Sequence, residues 1–247
     1  MNWDLETPSI SRWRVAFGGH NATRKLRADQ AKKNDAALTV KNIGDVPPDR
    51  GSKILGWGIA SYTLDGGDFF EFEYYKTTID EVGTIRKNAK VFGIPLRLGL
   101  RMPISLETES FKIRYGYPLF STERLNVSGT LGVREFRASV TYPHEDFRRY
   151  PDDYKIVLPT FGVLSTYTMG KNWRGVARAD WLTFSANGST ATIADFDGVI
   201  EYSGLSGNVI GVGYRYSLIT YAADRERWSG HLSYRVRGPL IYAAVNF

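Results

Sequence analysis

The chain has no cysteine, so neither a disulfide framework nor a thiolate metal site can be built from it. No stretch approaches 18 consecutive apolar residues, which excludes a membrane-spanning helix. Histidine is scarce: His20, His144 and His231 are far apart in sequence. Clustered metal ligands or a nucleophile beside its base are therefore not indicated, and no catalytic, metal or cofactor-binding residue is assigned. The opening residues, MNWDLETPSIS, carry no basic segment followed by an apolar one. An exported protein with this beginning has already lost its signal peptide. Helical periodicity is scarce too.

Period-two alternation is what the chain has instead, with 25 glycines, 15 tyrosines and 13 phenylalanines. Alternation and turn residues together predict about ten strands. They run 12–28, 53–64, 68–80, 107–120, 124–142, 155–169, 173–186, 189–203, 208–222 and 229–247. The connections differ by side. Short ones fall at 65–67, 121–123, 170–172 and 205–207; longer ones fall at 29–52, 81–106, 143–154 and 223–228, apart from a tight Asn187-Gly188. Short turns on one side and longer loops on the other are the habit of outer-membrane barrels.

Each strand has an apolar and a polar face. Phe70, Phe72 and Tyr74 oppose Glu71 and Glu73; Leu125, Val127, Leu131 and Val133 oppose Asn126, Ser128, Thr130 and Arg134. In a soluble sandwich the apolar face would be the inner one. Aromatic placement favours the inverse, because Trp13, Tyr117, Trp173 and Phe247 lie beside short turns, where an interfacial girdle belongs. Trp173 and Trp181 share a face eight residues apart. That is about 26 Å along a strand, or about 20 Å of depth at a tilt near 40°, close to the roughly 25 Å apolar band of such barrels.

The last strand is HLSYRVRGPLIYAAVNF, with Ile241, Val245 and Phe247 alternating to the very end. Tyr234 and Val236 sit in the opposite phase, which predicts a β-bulge at Gly238-Pro239. Here the sequence resembles the Gram-negative outer-membrane β-barrel proteins, whose final strand ends in a phenylalanine read by the barrel-assembly machinery. The resemblance implies an outer-membrane location, with Phe247 as assembly signal. An even strand number puts both termini in the periplasm.

Ten-stranded outer-membrane proteases carry a His-Asp pair opposite a pair of aspartates at the outer mouth. The loop 143–154 does hold His144, Asp146, Asp152 and Asp153, but all on one connection rather than on opposite walls. His20 and His231 could meet where the first and last strands close the barrel. The formal charge of +6 favours anionic partners. Arg24, Lys25, Arg27, Lys32, Lys33, Arg86, Lys87, Lys90, Arg148 and Arg149 cluster near the expected outer rim, where lipopolysaccharide presents phosphates. Nucleic acid is not a partner, since the aromatics share a face with aliphatics rather than with the charges. Residues 91–106 alternate Phe92, Ile94, Leu96, Leu98, Leu100, Met102 and Ile104 against Arg97 and Arg101. This stripe reads as a strand extension or an extra hairpin, with a protein partner as one use. Its two prolines argue against a regular central strand.

The fold expected is therefore all-β: a closed antiparallel transmembrane barrel of about ten strands, with eight to twelve compatible. Residues 1–247 form one domain, of which 1–11 are a periplasmic N-terminal segment. The inward faces carry Glu71, Glu73, Lys112, Arg114, Arg134, Arg174, Arg178, Asp180, Asp195, Asp197, Glu201 and Arg215. Mixed charges in so narrow a lumen pair up and plug it. The tight turn at Asn187-Gly188 fixes a register that sets Arg174 opposite Glu201, Arg178 opposite Asp197 and Asp180 opposite Asp195. The like-charge pair then needs a third group between its members. Arg178→Asp with Asp197→Arg should restore stability that either change loses.

Function follows less directly than fold. The reading is a non-enzymatic outer-membrane barrel, structural or a narrow channel, whose basic rim contacts lipopolysaccharide or a protein partner. The alternatives are an outer-membrane enzyme (protease or lipid A-modifying) and a soluble ligand-binding barrel.

Overall fold

The computed structural model describes residues 12–31, 39–43, 54–84, 89–91, 94–96, 101–141, 152–186, 188–204, 207–225 and 228–247. The strands are β1 (Trp13–Asn21), β2 (Thr23–Ala31), β3 (Thr39–Ile43), β4 (Ile54–Thr63), β5 (Phe69–Thr84), β6 (Ala89–Val91) and β7 (Ile94–Leu96). They continue with β8 (Arg101–Ser121), β9 (Leu125–Thr141), β10 (Asp152–Thr168), β11 (Trp173–Ala186), β12 (Ser189–Ser203), β13 (Asn208–Arg225) and β14 (Trp228–Asn246). All ladders are antiparallel, and β1 pairs with both β4 and β14, which closes a barrel. β1 and β2 follow each other along β14 in one unbroken register, so the wall counts ten strands.

The sequence-predicted strands fall on these ten, with differences that have physical reasons. The first, expected as continuous over 12–28, is interrupted at Ala22 between β1 and β2. The loop 29–52 contains a further strand, β3, which pairs with β2 above the wall. The expected loop 223–228 shrinks to two residues, because β13 and β14 stay paired out to Arg225 opposite Trp228. Its run of charges reads as a loop, yet strands beyond the apolar band carry charge freely.

No bulge interrupts β14. Its ladder with β13 passes through Gly238 and Pro239 without a shift, and Tyr234, Val236, Leu240, Tyr242 and Ala244 all face inward. Tyr234 and Val236 are lumen residues, not the outer face expected of them. Gly238 is needed for close approach: a Cβ there would lie 2.0 Å from the Asn21 carbonyl oxygen.

Proline position follows ladder satisfaction. Pro239 falls between the last pair with β2 (Arg237 with Thr23) and the first with β1 (Leu240 with His20). Pro159 is paired with β9 but lies beyond the β11 ladder, and Pro118 marks a register shift. Pro103 lies within β8, opposite Val82 of β5. Among the described residues it is paired with β5 alone. The 91–106 stripe is thus both of the forms expected, with β6 and β7 making a hairpin and β8 extending from Arg101.

Two ladders stop short. β4 and β5 pair only between Trp57–Tyr75 and Thr63–Phe69, and β10 and β11 only between Gly162–Asp180 and Thr168–Arg174. Above those points, among the described residues, β5 is held by β8 and β10 by β9.

The tight hairpin has the predicted register throughout. Ala186 faces Ser189, Gly188 adopts φ +71°, Trp173 faces Tyr202 and Ala179 faces Phe196.

Candidate functional site

The period-two pattern sends one set of side chains inward from every strand, and those sets meet in the lumen. Of the twelve charged residues named from sequence, eleven are buried and Arg174 is partly so. Asp180 and Asp195 stand opposite each other as a like-charge cross-strand pair. The third group between them is Lys112, whose Nζ lies 2.8 Å from Asp180 Oδ2, 3.5 Å from Asp195 Oδ2 and 2.9 Å from Glu73 Oε2. Arg134 adds a contact of 2.6 Å to Asp195, and Arg114 one of 3.0 Å to Asp180 while also binding Glu71.

Arg178 and Asp197 are opposite in register, but their ion pairs go elsewhere. Arg178 reaches Glu71 at 3.5 Å, and Asp197 takes Arg215 at 3.0 Å, so the exclusive cross-strand pair expected from sequence is not formed. A narrow lumen offers across-barrel partners as near as the adjacent strand. Arg174 does bind Glu201, as the register requires, and Arg14 joins that carboxylate at 2.6 Å with the Tyr242 hydroxyl donating to it.

Aromatic rings bound the charge network on the side away from the short turns. Trp57 donates to Glu73 at 3.0 Å, and the Arg215 guanidinium lies 5.6 Å and 5.8 Å from the Trp57 and Tyr75 ring centres. Beyond them the lumen is filled by apolar contacts: Phe136 against Tyr234, and Leu158 against Ala191 and Ile193 with Tyr221. Charges below and rings above leave the interior occupied.

The outer wall is apolar from the short turns up to a charged collar. Trp13, Tyr117, Trp173, Trp181 and Phe247 are exposed on this wall. Phe247 is tied to Trp13 by backbone hydrogen bonds in both directions, at 2.8 and 2.9 Å. The collar runs over β5, β8, β9 and β10: Lys76 pairs with Glu107 and Glu109, and Glu135 with Arg137 and Lys155. On β14, Arg235 and Arg237 are exposed and form no ion pair among the described residues; Arg235 lies over the Tyr216 ring. In register, Arg235 stands opposite Lys25 of β2, and Arg27 opposite Ser233.

Several sequence-named residues lie outside this description. Arg86, Lys87, Arg148, Arg149, Lys32, Lys33, His144 and Asp146 fall outside the described residues, as does the 1–11 segment. Arg24, Lys25 and Arg27 have their backbone in β2, Lys90 in β6, and Asp152 and Asp153 in β10. His20 and His231 are not neighbours. His20 is buried opposite Leu240, and His231 is exposed opposite Asp29, nearer the loop end of the same strand pair.

No family model matches the chain, and no curated protein matches it. Solved structures do. The outer membrane protease OmpT from Escherichia coli superposes with a TM-score of 0.57 at 10% identity, over 97% of this chain and 98% of that one. The fold is that of an outer-membrane β-barrel. Weaker likenesses are the attachment invasion locus protein Ail of Yersinia pestis (TM-score 0.35, 8% identity, 93% and 97% covered) and the Pseudomonas putida toluene transporter TodX (TM-score 0.37, 8% identity, 96% and 90% covered).

At such identity the likeness to the protease is one of fold. Among the described residues there is no cluster of three histidine, cysteine, aspartate or glutamate side chains suited to a metal. The described lumen carboxylates are engaged by arginine and lysine rather than set opposite a histidine. Sequence reasoning missed Arg14, His20, Trp57, Tyr75 and Tyr242 as lumen residues. For Arg14 and His20 the signal was present, since they share a phase with Ala16 and oppose Val15 and Phe17.

Proposed function

We propose that this chain is a non-enzymatic integral outer-membrane barrel with a closed lumen and both termini toward the periplasm, contacting lipopolysaccharide through its basic rim. The observation that carries the reading is the lumen network, in which six carboxylates (Glu71, Glu73, Asp180, Asp195, Asp197, Glu201) are each ion-paired with lysine or arginine. Such pairing occupies the space through which a solute would pass and leaves none of these six carboxylates free to activate water. The exposed aromatic girdle beside the short turns supports the membrane setting. Arg235 and Arg237 supply guanidinium groups for bidentate phosphate contact, and the rim position Lys25 stands opposite Arg235 in register as a further cation. Phe247 serves as the signal to the barrel-assembly machinery, and the 91–106 segment as the contact for a protein partner.

Planar-bilayer recording tests the closed lumen: conductance well below that of general porins is expected, and large stable channels would refute it. Peptide hydrolysis by the purified barrel, abolished by substitution of His144 or Asp146, would install the protease reading instead.

A further inference from the structure

The outward side chains of β4 are small, and this opens a trough on the membrane-facing wall. Gly56, Gly58 and Ala60 form its floor, Phe17 of β1 one wall, and Phe72 and Tyr74 of β5 the other, enclosing about 700 Å³. A Cβ at Gly56 would meet nothing within 4 Å, and one at Gly58 only the Phe17 ring at 3.6 Å and the Ala16 carbonyl oxygen at 3.8 Å. The trough runs up to the level where the β4–β5 ladder ends, beside Lys76.

Charge at its upper end is divided. On the β5 side Lys76 is shared by Glu107 and Glu109, an excess of one acid that repels a phosphate. On the other side stand Arg237 and Arg235, exposed and without an ion pair among the described residues, with Lys25 opposite Arg235 in register. Ile241 of β14 is in register with Gly19 and Gly19 with Gly56, so Arg237, four residues further along, lies about 13 Å along the strand, or about 10 Å higher up the wall at a tilt near 40°. An apolar chain below and an anionic head above, displaced toward β14, describe an acylated, phosphorylated lipid of the outer leaflet.

We infer that the β1–β4–β5 trough seats an acyl chain of lipid A, with a lipid A phosphate held by Arg235 and Arg237. This rests on the orientation and lipopolysaccharide contact given under Proposed function, and adds to them a chain-binding site. Burial in the trough removes methylenes from competition with bulk lipid, while the arginines supply bidentate phosphate contacts.

The test uses the whole barrel refolded in detergent, with lipopolysaccharide bound per barrel measured by native mass spectrometry. Gly56→Leu with Gly58→Leu fills the trough and should weaken binding of intact lipopolysaccharide by about tenfold, the loss of roughly two methylene contacts, while leaving fully deacylated lipopolysaccharide unaffected. Arg235→Gln with Arg237→Gln should weaken both ligands, more so at low salt. Gly198→Leu, in a second outward trough of about 480 Å³ toward the short turns, should change neither.

Wild-type binding by the double-leucine barrel overturns the chain site, and the lipopolysaccharide contact survives that result if the arginine variant still loses affinity. No loss in the arginine variant overturns both. Equal competition by phosphatidylglycerol overturns the assignment to lipid A. Should the double-leucine variant fail to refold, Phe17→Ala, which removes one wall of the trough, must produce the same selective loss for the inference to stand.

Discussion

Lys112 is the residue on which the lumen network turns, and Lys112→Met is the perturbation that measures it. Its side chain is 2% exposed and its ammonium lies within 3.5 Å of Glu73, Asp180 and Asp195. Methionine keeps the volume and removes the charge. Arg114 still holds Asp180 and Arg134 still holds Asp195, but the two opposed carboxylates lose the cation between them. Removing one partner of a buried ion cluster costs about 3–5 kcal/mol, because the desolvated charges left behind are no longer fully compensated. With a urea slope of about 2–3 kcal/mol/M, the unfolding midpoint should fall by about 1 to 2.5 M. The assay is urea unfolding of the barrel in detergent, followed by tryptophan emission and by heat-modifiable migration. Lys112→Met with Asp180→Asn should recover part of the loss, since the second change removes the like-charge opposition. A single variant within about 0.5 kcal/mol of wild type, the range of surface substitutions, would refute the account of the lumen as dry and mutually paired.

The charge swap Arg178→Asp with Asp197→Arg should not restore stability, because it sets the introduced carboxylate against Glu71 and the introduced guanidinium against Arg215; unfolding of the single and double variants decides it. Gly238→Val should block assembly, since its Cβ would lie 2.0 Å from the Asn21 oxygen, and the heat-modifiable band should be absent. Deleting Phe247 should impair membrane assembly in cells far more than the stability of the refolded barrel; equal losses in both would make the residue a packing element only.

Much of this architecture was legible because strand parity is a strict code. On β11 and β12 the turn at 187–188 sets the register, and every pairing followed from it. Parity also named twelve of the inward charges, though not Arg14, since no charged side chain can face hydrocarbon cheaply. What parity cannot supply is the partner across the lumen. Arg178 finds Glu71 on a strand distant in sequence, and the distance between them depends on barrel closure, not on local pattern. Parity misled at β14, where apolar Tyr234 and Val236 looked like an outer face. They fill the upper lumen, and Arg235 and Arg237 face out, because that part of the wall stands at the charged collar. Charge composition misled at 223–228, since a polar run in a water-exposed strand resembles a loop.

The central claim is that the odd-numbered residues of the last strand, β14, meet lipid while its even-numbered residues close the lumen. The absence of native cysteine makes single-cysteine spin labels clean probes. Labels at Ile241, Ala243 and Val245, which are exposed, and at Leu240, Tyr242 and Ala244, which are buried, should be compared in reconstituted bilayers. The account predicts high accessibility to lipid-soluble oxygen at the three odd positions and low accessibility to both oxygen and a water-soluble nickel chelate at the three even ones. Nickel access at the even positions would mean a water-filled channel, and nickel access at the odd ones a soluble fold; either contradicts a plugged membrane barrel.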